Sequence, residues 1–153
     1  MGDCMLFKRA FFEEAGLMHE AYFLYYEDVE VGLRARREGW KCLAIPHSRV
    51  FHRDSTAGGE ASPVVSFYGT RNQAWVVAQY GRPAQRLCFL ALSAFARWPW
   101  KALSRLLRGR ARAAWAVVRG SVRGLADRSW RDERHLAVPV AGRPRKTVLL
   151  DEL

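Results

Sequence analysis

FLYYEDVEVGLRARREGW, from Phe23 to Trp40, places two adjacent carboxylates behind a run of aromatic residues at the start of a helix. After Glu27 and Asp28, the residues Val29, Gly32, Leu33 and Arg36 recur at helical spacing, and Gly39 supplies a stop signal. Acids in a first turn meet the positive end of the helix dipole and unpaired backbone N–H groups, which favours the ionised carboxylate. An ionised carboxylate accepts protons, so Asp28 and Glu27 are candidate catalytic groups. The alternative is ordinary for acids at helix starts: Asp28 caps the helix and Glu27 decorates its first turn.

Working outward, the chain reads as alternating strand and helix. A short strand is expected at Cys4–Phe7, then a helix at Arg9–Ala15 closed by Gly16. An aromatic loop, Tyr22–Tyr26, leads into the helix Asp28–Glu38. Lys41–Ile45 reads as a strand ended by Pro46, and Val50–His52 as a further short strand. Arg53–Pro63 has the Ser, Thr, Gly and Pro content of a loop. Val64–Tyr80 returns to helix and stops at Gly81 and Pro83.

Four blocks in order carry a family resemblance: GDCMLFKRAFFEEAGL at Gly2–Leu17, YYED at Tyr25–Asp28, LRARREGW at Leu33–Trp40, and VFH ending at His52. Together they resemble the second half of a family 2 glycosyltransferase catalytic domain, nearest to the bacterial rhamnosyltransferase-like members, with a looser continuation through SPVVSFYGTRNQ. The resemblance implies an α/β fold of GT-A type, present here only as the acceptor-side half. It implies inverting transfer of a sugar from a nucleotide-sugar donor to a polysaccharide or lipid-linked acceptor, in cell-envelope glycan synthesis. Asp28 would be the base and Glu27 would shape its charge, while Phe23, Tyr25 and Tyr26 would stack on sugar faces; the alternative for these three aromatics is core packing. A divalent metal, Mg²⁺ or Mn²⁺, would take His52 as one ligand, the other ligands coming from a nucleotide-binding half. Arg71, in the TRN triplet, would pair with the donor diphosphate through its planar fork; the alternative is a solvated helix charge. Since no nucleotide-binding half precedes Met1, the expectation is a fragment, a misplaced start or a degenerate copy, inactive in isolation.

Composition divides the 153 residues unevenly. The net charge of +10 is concentrated between Gly81 and Arg131, where twelve basic residues face the single acid Asp127. Residues 1–80 read as the glycosyltransferase-like part, 81–130 as amphipathic basic helices and 131–153 as a tail rich in Pro and mixed charge. On a helical wheel Leu103, Leu106, Leu107, Ala114, Val117, Val118 and Leu125 fall on one side of Trp100–Leu125, opposite Lys101, Arg105, Arg108, Arg112, Arg119 and Arg123. A preceding apolar helix, about Ala84–Trp98, is expected to end at Pro99. So one-sided a charge fits an anionic membrane surface, reached peripherally from the cytoplasm, better than nucleic acid. The alternative is that these helices pack their apolar sides on the first part and leave Arg in water. A rival functional reading is a non-catalytic basic membrane- or nucleic-acid-binding protein that keeps a decayed glycosyltransferase segment. Cys4, Cys42 and Cys88 lack metal-type spacing and read as reduced core residues; His19 and His47 read as surface residues.

Overall fold

The computed structural model describes residues 4–51, 62–127 and 131. Six helices carry the fold: α1 (Arg9–Ala15), α2 (Glu27–Arg37), α3 (Pro63–Tyr80), α4 (Pro83–Leu92), α5 (Trp98–Leu107) and α6 (Ala111–Ala126), with a 3-10 turn at Glu20–Tyr22 and a π turn at Ser93–Arg97. This corrects the expected α/β architecture, because among the described residues there is no strand and the fold is all-helical. Cys4–Phe7 and Lys41–Ile45 form no ladder, and every residue from Lys41 to Phe51 is exposed. Their β-branched and aromatic content is a preference for a pleated, half-covered surface. It makes a strand only where a neighbour accepts the backbone hydrogen bonds.

The helix ends follow local chemistry. Gly16, at φ 82°, closes α1 and donates its N–H to the Phe12 carbonyl at 3.1 Å. In α2 the acids Glu27, Asp28 and Glu30 occupy the first turn and Arg34, Arg36 and Arg37 the last, the polarity that opposes the helix dipole. Ser62 caps α3, its Oγ accepting from the Val65 N–H at 3.2 Å, and Pro63 follows in the first turn.

Pro99 does not end a helix as expected. It lies in the first turn of α5, directly after the π turn. A proline inside a continuing helix removes one N–H and drives its ring at the carbonyl four residues back. The wider π turn relieves both demands, so α4 runs into α5. The expected continuous helix Trp100–Leu125 is instead two helices, since Gly109 at φ 70° donates to the Leu106 carbonyl and turns the chain.

Three apolar clusters connect these elements. Phe11 and Ala15 of α1 meet Val31 and Ala35 of α2, with Phe7, Phe12 and Trp40 around them. Tyr22 packs on Trp75 and Val76 of α3, and Ala74, Trp98 and Val117 join α3, α5 and α6. The α3–α6 contact is close because α6 presents Ala113, Ala116, Gly120 and Gly124. A Cβ on Gly120 would lie 2.6 Å from the Phe67 carbonyl oxygen. Gly120→Ala is therefore expected to destabilise by about 1–3 kcal/mol through overpacking, against a helix-propensity gain of about 1 kcal/mol. Gly69→Ala, where a Cβ meets nothing within 4 Å, is the matched control and should be neutral or stabilising in the same urea melt.

Helix α5 is turned opposite to a soluble amphipathic helix. Lys101 and Arg105 face α3, where they donate to Thr70 and Ser66, whereas Trp100 is 68% and Leu107 75% exposed. Leu103 and Leu106 are exposed as well, as are Leu87 and Phe95 before them and Trp115 and Val122 in α6. No described helix is long and apolar enough to cross a membrane. Cys4, Cys42 and Cys88 are exposed free thiols, not core residues. His19 is buried against the Tyr22 ring, whereas His47 is exposed as expected.

Candidate functional site

The loop before Glu27 is strained. Phe23, Tyr25 and Tyr26 all take positive φ, 58°, 64° and 68°, in a region where non-glycine side chains are rare. Each such residue costs on the order of 1–3 kcal/mol, so the surroundings must hold it there.

The hold comes from α3. The side-chain amide of Asn72, fully buried, reaches the carbonyls of Tyr22, Leu24 and Tyr25 at 2.7, 2.9 and 2.8 Å, the two N–H donors serving three acceptors. Arg71 stands beside it, its Nε donating to the Asn72 side-chain oxygen at 2.8 Å and its Nη2 to the carbonyls of Ala21 and Tyr22. The guanidinium stacks on Trp75 at 3.9 Å and Tyr68 at 4.7 Å, and burial lowers its pKa from the ordinary arginine value. With the Gln73 amide oriented to satisfy its neighbours, its oxygen accepts from the Tyr26 hydroxyl at 3.2 Å and from Arg97 at 3.0 Å. Burial raises the Tyr26 phenol pKa, with Arg97 opposing and Asp28 adding to the shift.

This clamp fixes where α2 begins, and with it the two carboxylates. Asp28 is partly exposed, and its Oδ1 accepts the Val29 N–H at 2.8 Å. One carboxylate oxygen of Glu27 is sealed from solvent with no hydrogen-bond partner among the described residues. Phe23 lies against Tyr68 at 5.0 Å with most of its ring open, and Tyr25 is also exposed. The expected site thus separates: Glu27, Asp28 and the aromatic loop come together, and Arg71 sits behind them in the clamp. His52 lies outside the described residues. Among the described residues no three His, Cys, Asp or Glu side chains gather in a way that could hold a metal ion.

One functional pair went unread in the sequence. Glu30 and Arg34, 1% exposed each, form a buried ion pair at 3.1 Å along α2. Arg34 also donates to the carbonyls of Ala15, Gly16 and Leu17, completing the end of α1. Glu30 accepts from the Tyr80 hydroxyl at 2.7 Å, and burial followed by that bond raises the Tyr80 pKa. The pair ties α1, α2 and α3 together behind the catalytic candidates. The available signal was the Glu–Arg spacing of four residues, which ordinarily marks a solvated surface pair.

No protein-family profile matches the chain, and no solved structure matches it significantly. A stretch of 58 residues is 36% identical to the N-acetylglucosaminyl-diphospho-decaprenol L-rhamnosyltransferase of Mycobacterium tuberculosis, covering 38% of this chain and 19% of that protein. A stretch of 37 residues is 46% identical to the low-salt glycan biosynthesis hexosyltransferase Agl10 of Haloferax volcanii, covering 24% of this chain and 12% of that one. The chain contains a segment similar to glycosyltransferases, and that match spans about a fifth or less of the length of these relatives.

Proposed function

We propose that this segment serves the acceptor side of an inverting glycosyl transfer, moving a sugar from a nucleotide-sugar donor to a glycan or lipid-linked acceptor in cell-envelope glycan synthesis. The observation that carries the reading is the Glu27–Asp28 pair, held at the first turn of α2 by a strained loop that α3 clamps. The Asp28 carboxylate takes the proton of the acceptor hydroxyl as that oxygen bonds to the anomeric carbon. The bond from that carbon to the diphosphate oxygen breaks, and the nucleoside diphosphate leaves with the electron pair. The Val29 N–H orients the Asp28 carboxylate, and Glu27 stands beside it in the first turn of α2.

Phe23 and Tyr25 offer open rings beside the pair for an acceptor sugar face. Arg71 and Asn72 act as positioning residues in this reading, since both side chains are spent on the loop carbonyls. A divalent cation, Mg²⁺ or Mn²⁺, supplies neutralisation of the leaving diphosphate when bound. The described residues do not assemble a donor set for it.

The test is a chimera in which the matched segment of the Mycobacterium tuberculosis rhamnosyltransferase is replaced by that of this chain. Retained rhamnosyl transfer is the expected result. A chimera that keeps the parent's circular dichroism but transfers nothing would overturn the reading.

The same proposal puts the chain on the cytoplasmic face of the cell membrane, where a lipid-linked acceptor presents its glycan. Its support is the open apolar surface of α4–α6, in which Trp100, Leu107 and Phe95 are exposed beside a strongly basic stretch. Contiguous exposed apolar surface of this kind marks an interaction site.

A further inference from the structure

In α6 the fold divides one apolar sector of the sequence between two sides. Ala113, Val117, Gly120 and Gly124 turn inward, and a Cβ on Gly120 or Gly124 would lie 2.6 or 2.9 Å from atoms of α3. Trp115, Val118, Val122 and Leu125 recur at steps of three and four residues on the opposite side. All four are exposed, Trp115 at 63% and Val122 at 60%. Arg112, Arg119 and Arg123 follow one edge between the two sides and are exposed as well. No carboxylate occurs from Ala111 to Ala126. The 16 residues of α6 make a rod about 24 Å long, and its open side suits a surface, since no described helix is long and apolar enough to cross a bilayer.

We infer that α6 is the docking element of this chain, lying flat in the headgroup layer of an anionic leaflet. Trp115, Val118, Val122 and Leu125 dip toward the acyl chains, and Arg112, Arg119 and Arg123 meet lipid phosphates along one edge. The inference rests on the membrane reading above and assigns it to one side of one helix. Charge complementarity selects the occupant. Two copies packed stripe to stripe would gather three arginines from each along one seam, with no carboxylate in either α6 to offset them. An anionic leaflet supplies both complements, hydrocarbon for the stripe and phosphate for the edge. Being fluid, it also fits the open side of α5 at Trp100, Leu103 and Leu107, more surface than a single partner helix would cover. Attraction through total charge depends only on the number of cations near the leaflet. Docking through α6 depends as well on Trp115 and Val122, which carry no charge.

The experiment is flotation of the intact chain with vesicles of phosphatidylcholine alone or mixed with phosphatidylglycerol. Wild type is compared with Trp115→Ser, Val122→Ser, Arg112→Gln and Leu43→Ser, each checked for an unchanged denaturant midpoint. All four side chains are exposed, so folding should survive each change, and Leu43, 80% exposed, is an open apolar residue outside the basic helices. Trp115→Ser is expected to weaken binding to the anionic vesicles by about tenfold or more, as when a large apolar side chain loses its burial. Val122→Ser should weaken it severalfold without any change in charge. Arg112→Gln should weaken it by about fivefold, an effect that fades as salt rises, and Leu43→Ser should bind as wild type does. Trp115→Ser and Val122→Ser both at wild-type strength would overturn α6 as the docking element and leave the membrane reading standing. Wild type that binds neither vesicle would overturn both. A dimer in analytical sedimentation that Trp115→Ser dissociates, with vesicle binding unmoved, would assign the stripe to a second copy and overturn the leaflet assignment.

Discussion

Asp28→Asn, introduced into the active chimera, is expected to lower turnover by about a hundredfold or more, the range for loss of a general base. The asparagine keeps the size of the side chain and its acceptance of the Val29 N–H, found at 2.8 Å, but it takes up no proton. Donor affinity should stay close to that of the parent, because the substitution leaves the diphosphate side untouched. The competing role for Asp28, a helix-terminal acid that only steadies α2, has a different signature. It gives a stability loss of about 1 kcal/mol with turnover intact. Steady-state kinetics of transfer together with a urea melt distinguish the two, and near-parental turnover would remove Asp28 from the mechanism.

Arg34→Ala is expected to be the most damaging single substitution to stability, at about 3–5 kcal/mol, the usual result of breaking one side of a buried ion pair. Three losses coincide there. Glu30 keeps a buried charge with only the Tyr80 hydroxyl at 2.7 Å, and the carbonyls of Ala15, Gly16 and Leu17 lose their donor. The packing of the guanidinium over Phe11 also goes. Replacing both partners, Glu30→Met with Arg34→Met, should restore part of the loss, since the uncompensated charge is then gone. A denaturant midpoint for Arg34→Ala equal to wild type would show that the pair does not hold α1 to α2.

The helices were legible at some of the stops written into the chain, but not at Gly109 or Pro99. Gly16 and Gly81 mark ends that the structure keeps, and α3 begins one residue before the expected Val64. Cys4–Phe7 and Lys41–Ile45 were misread because strand propensity is a property of one segment, whereas a strand is a relation between two. The two sides of α5 were also legible, but not which one faces the protein. Periodicity reports a contrast between sides, and the direction of that contrast is decided by what lies opposite, here the Ser66 and Thr70 hydroxyls of α3. The acid pair stood out through its neighbours Tyr25 and Tyr26. Glu30 and Arg34 did not, because their burial depends on α1 and on Tyr80, fifty residues further along the chain.

The three left-handed residues ahead of Glu27 set stability against activity. Glycine takes up that backbone shape without penalty, so Phe23→Gly or Tyr25→Gly would relieve strain at a position whose ring is largely open to solvent. Natural chains sit only a little above the stability they need, and a site that keeps a bulky ring in a strained backbone sacrifices some of that margin. A laboratory selection for heat resistance alone would drift toward glycine in this loop. If the rings stack on the acceptor sugar as proposed, a selection for sugar transfer would hold them, and the two regimes would pull this chain in opposite directions at the same two positions.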